Sequence, residues 1–172
     1  DRQTYMSGQV VINADFAHAM SHLVPDRLRR RWTDRRIARK KFSCSTFMMY
    51  LGIEGRYDDL EHHTIFLAED YAQNLRDIED LHRLSANPSF YVQNACRTDP
   101  TLAPEGMSTL YCLAPVTHMT DQVDWSTERD RYRSLFMRQL KKIGLDDVED
   151  RIRYQRILTP RDWQTELCVH KG

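Results

Sequence analysis

Four histidines, His62, His63, His82 and His118, are the first residues whose type suits chemistry, since an imidazole can ligate zinc or move a proton near neutral pH. Their spacing fits none of the standard zinc patterns and no cysteine lies near them in sequence, so the expected metal content is none. His118, just after a run ending at Pro115, reads as structural rather than as a general base. No Ser-His-Asp or Cys-His arrangement is legible from spacing, and no catalytic residue is assigned. The cysteines Cys44, Cys96, Cys112 and Cys168 lack any C-x-x-C spacing, and three sit among apolar residues where a reduced thiol packs as a small hydrophobe. That usage points to a reducing, cytoplasmic compartment.

Charge offers a second kind of site. Arg27 to Lys41 holds nine Arg or Lys residues against one acid, whereas Glu54 to Asp80 holds nine acids against Arg56 and Arg76. The totals cancel at 25 basic and 25 acidic residues, so no global field selects a partner. The basic run suits phosphates of a membrane surface, or it is a solvated helix face that pairs with the acidic stretch. Nucleic acid is not expected, because Trp32 is its one aromatic and no binding motif accompanies it. With no apolar run of about 18 residues, membrane contact is expected to be peripheral.

These residues need elements to position them. Gln9 to Asp15 (QVVINAD) begins as a β-branched, continuously apolar run and reads as a buried strand; Asp15 then caps a helix that Pro25 interrupts. Phe42 to Ile53 reads as a central strand apolar on both faces, His62 to Ala68 as a second strand, and Ala72 to Leu84 as a short polar helix. Ser89 to Arg97 and Gly106 to Pro115 read as two strands joined by a proline-bearing connection. A symmetric pairing sets Val92 opposite Cys112 and Asn94 opposite Leu110, with Phe90, Val92, Asn94, Leu110, Cys112 and Ala114 on one face. Asp124 opens a long amphipathic helix that Gly144 closes. Asp150 to Leu158 reads as a last strand, and Thr159-Pro160 starts a closing helix.

Several of these stretches, in this order, resemble bacterial-type, lycopene-forming phytoene desaturases of the amine-oxidase-like FAD flavoproteins. They are Val11-Ile12-Asn13-Ala14-Asp15, FSCSTFMMYLGIEG from Phe42 to Gly55, DPTLAPEGMS from Asp99 to Ser108, and Leu158-Thr159-Pro160 with Trp163. The resemblance implies an oxidoreductase that passes hydride from phytoene and partly desaturated carotenes to FAD while working as a peripheral membrane protein. It implies an α+β fold class: a mixed, largely antiparallel sheet flanked by helices, preceded by one strand-helix unit of the FAD-binding layer. Residues 1–25 would end that layer and 26–172 would form the substrate-domain segment.

Asn13, Ala14 and Asp15 are then the expected cofactor-side residues, with Asp15 also readable as a simple helix cap. Phe47, Met49, Leu51, Val92, Asn94 and Leu110 are the expected walls of an apolar tunnel for a polyene, ordinary core packing being the other reading. The Gly-rich strand-to-helix turn that holds a dinucleotide is missing, and the chain has only six glycines. Opening on Asp1 and closing at Lys171-Gly172, the chain is expected to be an internal piece, inactive alone. The alternative from another class is a non-enzymatic module docking on anionic membranes through Arg27 to Lys41.

Overall fold

The computed structural model describes residues 3–172; the expectations that touch Asp1 and Arg2 lie outside them. Five strands, β1 (Ser45–Glu54), β2 (His63–Phe66), β3 (Phe90–Gln93), β4 (Met107–Val116) and β5 (Ile152–Leu158), form one sheet in the order β2-β3-β4-β1-β5. Every neighbouring pair is antiparallel, so the fold is α+β with no parallel crossover among the described residues. The longest strands, β1 and β4, pair along their whole length from Ser45 opposite Val116 to Glu54 opposite Met107.

The central position of β1 follows from its sequence. Phe47, Met49, Leu51 and Ile53 point to one face and are almost fully buried; Met48, on the other, is also sealed. On β3 and β4 the anticipated pairing is present, with Val92 opposite Cys112, and Phe90, Val92, Leu110, Cys112 and Ala114 are all buried on the same face. The connection between these two paired strands runs through a short 3₁₀ turn at Ala95–Arg97 and then the DPTLAPEG stretch, which holds a second at Pro100–Leu102.

Of the helices α1 (Phe16–His18), α2 (Asp26–Arg29), α3 (Asp34–Ala38), α4 (Tyr71–Glu79), α5 (Trp125–Leu140), α6 (Val148–Arg151) and α7 (Pro160–Leu167), α5 closes that face. Asp124 caps it by accepting from the Ser126 amide at 2.9 Å, and Gly144 follows in the left-handed region at φ 83°. Its Trp125, Tyr132, Phe136 and Leu140 recur at helical spacing and pack on the sheet, Phe47 lying 5.0 Å from Tyr132 and 6.1 Å from Phe136 by ring centroid. The closing helix α7 (Pro160–Leu167) starts with a capping box between Thr159 and Asp162. It crosses one end of the opposite face, where the Trp163 indole donates to the Thr46 carbonyl at 2.9 Å.

One expected element is absent. Gln9 to Ile12 forms no strand, and Val10 and Val11 are 78% and 93% exposed. A β-branched run has strand propensity only as far as neighbouring strands and packed faces reward it, and none of the described residues pairs with this one. The helix after it is present: Asp15 Oδ1 accepts from the His18 amide at 2.8 Å, and the helix from Phe16 to His18 runs on through a π-turn, Ala19–Leu23, before Pro25. The basic run folds into two single-turn helices, Asp26–Arg29 and Asp34–Ala38. Helix Tyr71–Glu79 is shorter than the expected Ala72–Leu84 because His82 turns the chain at a positive φ of 47°.

Candidate functional site: the outer face of the sheet

The face of the sheet turned away from α5 carries aromatic rings on every strand. His63 on β2 bonds the Tyr91 hydroxyl on β3 at 2.7 Å and lies nearly parallel to that ring, 5.9 Å between centroids. Tyr91 meets Tyr111 on β4 edge to face at 6.1 Å, and Tyr111 meets Tyr50 on β1 at 5.4 Å, both steep contacts of the kind the ring quadrupole favours. Tyr154 on β5, opposite Gly52, ends the row and is 60% exposed. Five strands at about 4.8 Å spacing make this row roughly 19 Å long across the sheet.

A groove of about 250 Å³ runs between these rings, walled by Tyr50, Gly52, Gln93, Thr109, Tyr111 and Tyr154, with Leu51 and Leu110 beneath. Gly52 keeps it open, since a Cβ there would sit 3.2 Å from the Tyr154 Cβ. Burial holds the Tyr50 phenol above its usual pKa, with the neighbouring Tyr111 adding to the shift and Arg156 opposing it. The Tyr50 phenol therefore stays neutral at physiological pH and presents a π-face, not charge. Such a surface binds flat or extended apolar molecules by dispersion and offers few hydrogen bonds for orientation.

The six residues expected to line a tunnel occupy the inner face. Phe47, Met49, Leu51, Val92 and Leu110 are packed in the core against α5, and no more than 2% of any of them is exposed. Asn94 is buried beside them for another reason: its Nδ2 donates to the carbonyl oxygens of Tyr57 and Leu60, at 2.8 and 3.0 Å, pinning the loop before β2. Leu51 and Leu110 alone of the six also touch the outer groove. Sequence reasoning passed over Tyr50, Tyr91, Tyr111 and Tyr154, although each occupies the alternate position to a residue chosen for the inner face, or to its strand neighbour, and that repetition of tyrosine was the available signal.

Asn13 and Ala14 are exposed and lie outside any helix or strand, and the Asp15 carboxylate is engaged as a cap while it lines a shallow cavity with Phe42, His118 and Trp163. Tested against FAD, these residues do not form a complete site. Among the described residues no strand runs into a helix through a glycine-rich turn, and backbone amides at such a turn are what cradle a pyrophosphate. The histidines divide into two pairs. His62 and His63 adjoin the β2 end, hydrogen-bonded to Thr98 and Tyr91, while His82 and His118 lie 5.2 Å apart beyond β4. Among the described residues no three His, Cys, Asp or Glu side chains converge as metal ligands.

Of the nine basic groups between Arg27 and Lys41 all but Arg29 are exposed; Arg29 is buried between Asp26 and Asp34, whose hydrogen bonds hold its guanidinium firmly protonated. One ion pair, Lys41 to Glu79 at 3.1 Å, joins this run to the acidic stretch among the described residues. Leu23 and Leu28 stand beside the arginines, each more than half exposed. No described helix is long and apolar enough to cross a membrane.

Comparison with known proteins gives this arrangement its context. No family model matches the chain. It is 43% identical over 165 residues to a 4,4'-diapophytoene desaturase (4,4'-diapolycopene-forming) of Methylomonas sp, covering 95% of this chain and 32% of that protein. It is 42% identical over 166 residues to an all-trans-zeta-carotene desaturase of Myxococcus xanthus, covering 95% and 31%. A phytoene desaturase (lycopene-forming) of a Paracoccus strain is 31% identical over 173 residues, covering all of this chain and 34% of that protein. The names of these relatives carry different products, so the similarity singles out none of them. The chain spans about a third of the length of the curated relatives it matches, and over nearly all of its own length it is similar to carotenoid desaturases.

Proposed function

We propose that this chain is the substrate-side part of a longer FAD-dependent carotenoid desaturase, an oxidoreductase acting on phytoene or partly desaturated carotenes toward lycopene. The observation that carries the reading is the aromatic row on the outer face: beside Gln93, Thr109 and Arg156 it sets four tyrosines around a largely apolar groove, more aromatic surface than a solvated sheet face needs. An extended hydrocarbon laid along the row gains dispersion contacts from one ring after another and meets no unpaired buried polar group. Leu51 and Leu110 then serve the substrate as the floor of the groove, and Phe47, Met49, Val92 and Asn94 hold the sheet beneath it. FAD, the acceptor the resemblance implies, would be held chiefly by residues outside these 172, with Asn13, Ala14 and Asp15 on its side of the chain. The contribution of the present residues is to position the polyene and exclude water.

The reading extends to an anionic bilayer as the source of substrate, approached by the exposed basic groups of Arg27 to Lys41 with Leu23 and Leu28 between lipid headgroups. Nucleic acid has no place in it. The similarity to desaturases disfavours a purely non-enzymatic docking module.

The test is a chimera in which this chain replaces the matched third of the diapophytoene desaturase. Reconstituted with FAD and substrate in liposomes, the chimera is expected to form a conjugated polyene, read by visible absorbance. A soluble, flavin-loaded chimera that forms none would overturn the assignment.

A further inference from the structure

A cavity of about 290 Å³ lies beyond the far end of β4, between the segment after the basic run and the end of helix Tyr71–Glu79. Lys40, Lys41 and Lys171 line it with His82 and His118, and Glu79, already paired with Lys41 at 3.1 Å, is the one carboxylate in the wall. Three lysines and two histidines from four separate segments thus line one cavity, in which Glu79 is paired with Lys41. Two of the ammoniums rest on aromatic rings, Lys40 over Trp32 at 5.6 Å and Lys171 over Phe42 at 5.1 Å, a cation-π contact that leaves their hydrogens free for an anion.

The imidazoles are held in place. His118 Nδ1 lies 3.1 Å from the Met119 carbonyl, which can only accept, so Nδ1 is the donor of this bond. His82 Nδ1 is 3.0 Å from the hydroxyl of Thr117, a fully buried residue, and its backbone sits at φ 47°, a left-handed conformation that a side chain other than glycine adopts at a cost. With the rings 5.2 Å apart, charging both repels unless an anion lies between or beside them.

We propose that this cavity is a binding site for a phosphate or diphosphate group, with the three lysines supplying charge and His82 and His118 completing the wall. The proposal is independent of the desaturase reading. Failure of the chimera leaves it standing, and its own failure leaves the chimera's result unchanged.

The probe is inorganic pyrophosphate, titrated calorimetrically into the 172-residue chain at pH 7, with vesicles of phosphatidylcholine containing a minor fraction of phosphatidic acid as the second arm. One-to-one binding is expected, about tenfold weaker in the K41Q/K171Q double variant, where two of the attracting charges are gone. Binding is also expected to weaken in H82Q/H118Q, whose side chains line the same cavity. Binding to the vesicles alone, lost in K41Q/K171Q, assigns the phosphate to a lipid headgroup. Binding that survives K41Q/K171Q unchanged, or no binding in either arm by a chain whose Cys112 is protected from thiol reagents, overturns the site.

Discussion

The two faces of this sheet are built from the same strands and bury their side chains to opposite extents. Along β1, Phe47, Met49, Leu51 and Ile53 are sealed under α5, while on the other side Tyr50 stays in partial reach of solvent and Tyr154 is mostly exposed. The inner face is a core in the ordinary sense: rings and aliphatic chains in mutual contact, satisfied by the protein itself. The outer face is apolar without being covered, since α7 crosses only the end near Thr46 and Leu158. A sheet face that keeps aromatic residues where α7 does not reach is one whose partner is something other than its own helices. The inner face therefore accounts for stability, and the outer face is the one the proposed function assigns to binding.

That division breaks most readily at Phe136. Its ring is fully buried and meets both Phe47 and Phe90, at 6.1 and 5.5 Å, so it joins β1 and β3 to α5. Phe136→Ala is expected to destabilise the chain by about 3–5 kcal/mol, the range for removing a core aromatic, measured by urea unfolding. A loss below about 1 kcal/mol would mean that α5 does not close the inner face.

Asn94 sharpens the same division, because it lies on the inner face yet is polar. Replacing it with alanine leaves the Tyr57 and Leu60 carbonyls without their donor in a buried setting, at an expected cost of about 2–3 kcal/mol. If Asn94 instead touched the hydrocarbon, Asn94→Ala would alter polyene binding in the chimera and leave the unfolding midpoint almost unchanged.

Much of the inner face was legible in the residues. Alternation within FSCSTFMMYLGI and the two hairpin strands gave the correct facing residues and the pairing of Val92 with Cys112, because a core face must be apolar at every second position. Asp124, Gly144 and Thr159 marked helix ends through hydrogen bonds that are local in sequence, and these too are present. What local pattern did not supply was the partner of each surface. Val10 to Ile12 has the composition of a buried strand, but composition does not provide a neighbour to pair with. The tyrosine row is assembled from four segments separated by helices and loops, so its continuity depends on the strand order β2-β3-β4-β1-β5, which alternation within single strands does not encode.

Alkaline titration tests the inner face through Cys112. Complete burial pushes its thiol up to about 12, because the thiolate would be stranded among apolar groups. The folded chain then holds this proton to a higher pH than the unfolded chain, whose thiol titrates near 8.5. Its contribution is fully present below that value and is lost as pH rises toward 12, with a slope of at most about 1.4 kcal/mol per pH unit. Cys112→Ala is expected to flatten the stability profile over that window. The exposed Cys44 and Cys168 should meanwhile react with a thiol reagent at pH 8 in the native chain while Cys112 does not.

The smallest expected effect on stability is the one that bears most on function. Tyr111 is half-buried on the outer face, and its ring is held by edge contacts with Tyr50 and Tyr91 rather than by helices. Cross-strand aromatic pairs of this kind contribute roughly 0.2–1 kcal/mol each, so losing both in Tyr111→Ala should shift the unfolding free energy by about 2 kcal/mol or less. In the chimera the same change removes the middle of the row, and a hydrocarbon bridging Tyr50 and Tyr91 loses its central contact. Product formation at limiting substrate is then expected to fall about tenfold, while Tyr111→Phe, which keeps the ring and drops the hydroxyl, stays near the parent level. Equal losses in the two variants would show the hydroxyl, not the ring face, to be what matters. A large loss of stability in Tyr111→Ala with no change in product formation would reverse the roles of the two faces, since the outer one would then be core and the polyene would have to lie elsewhere.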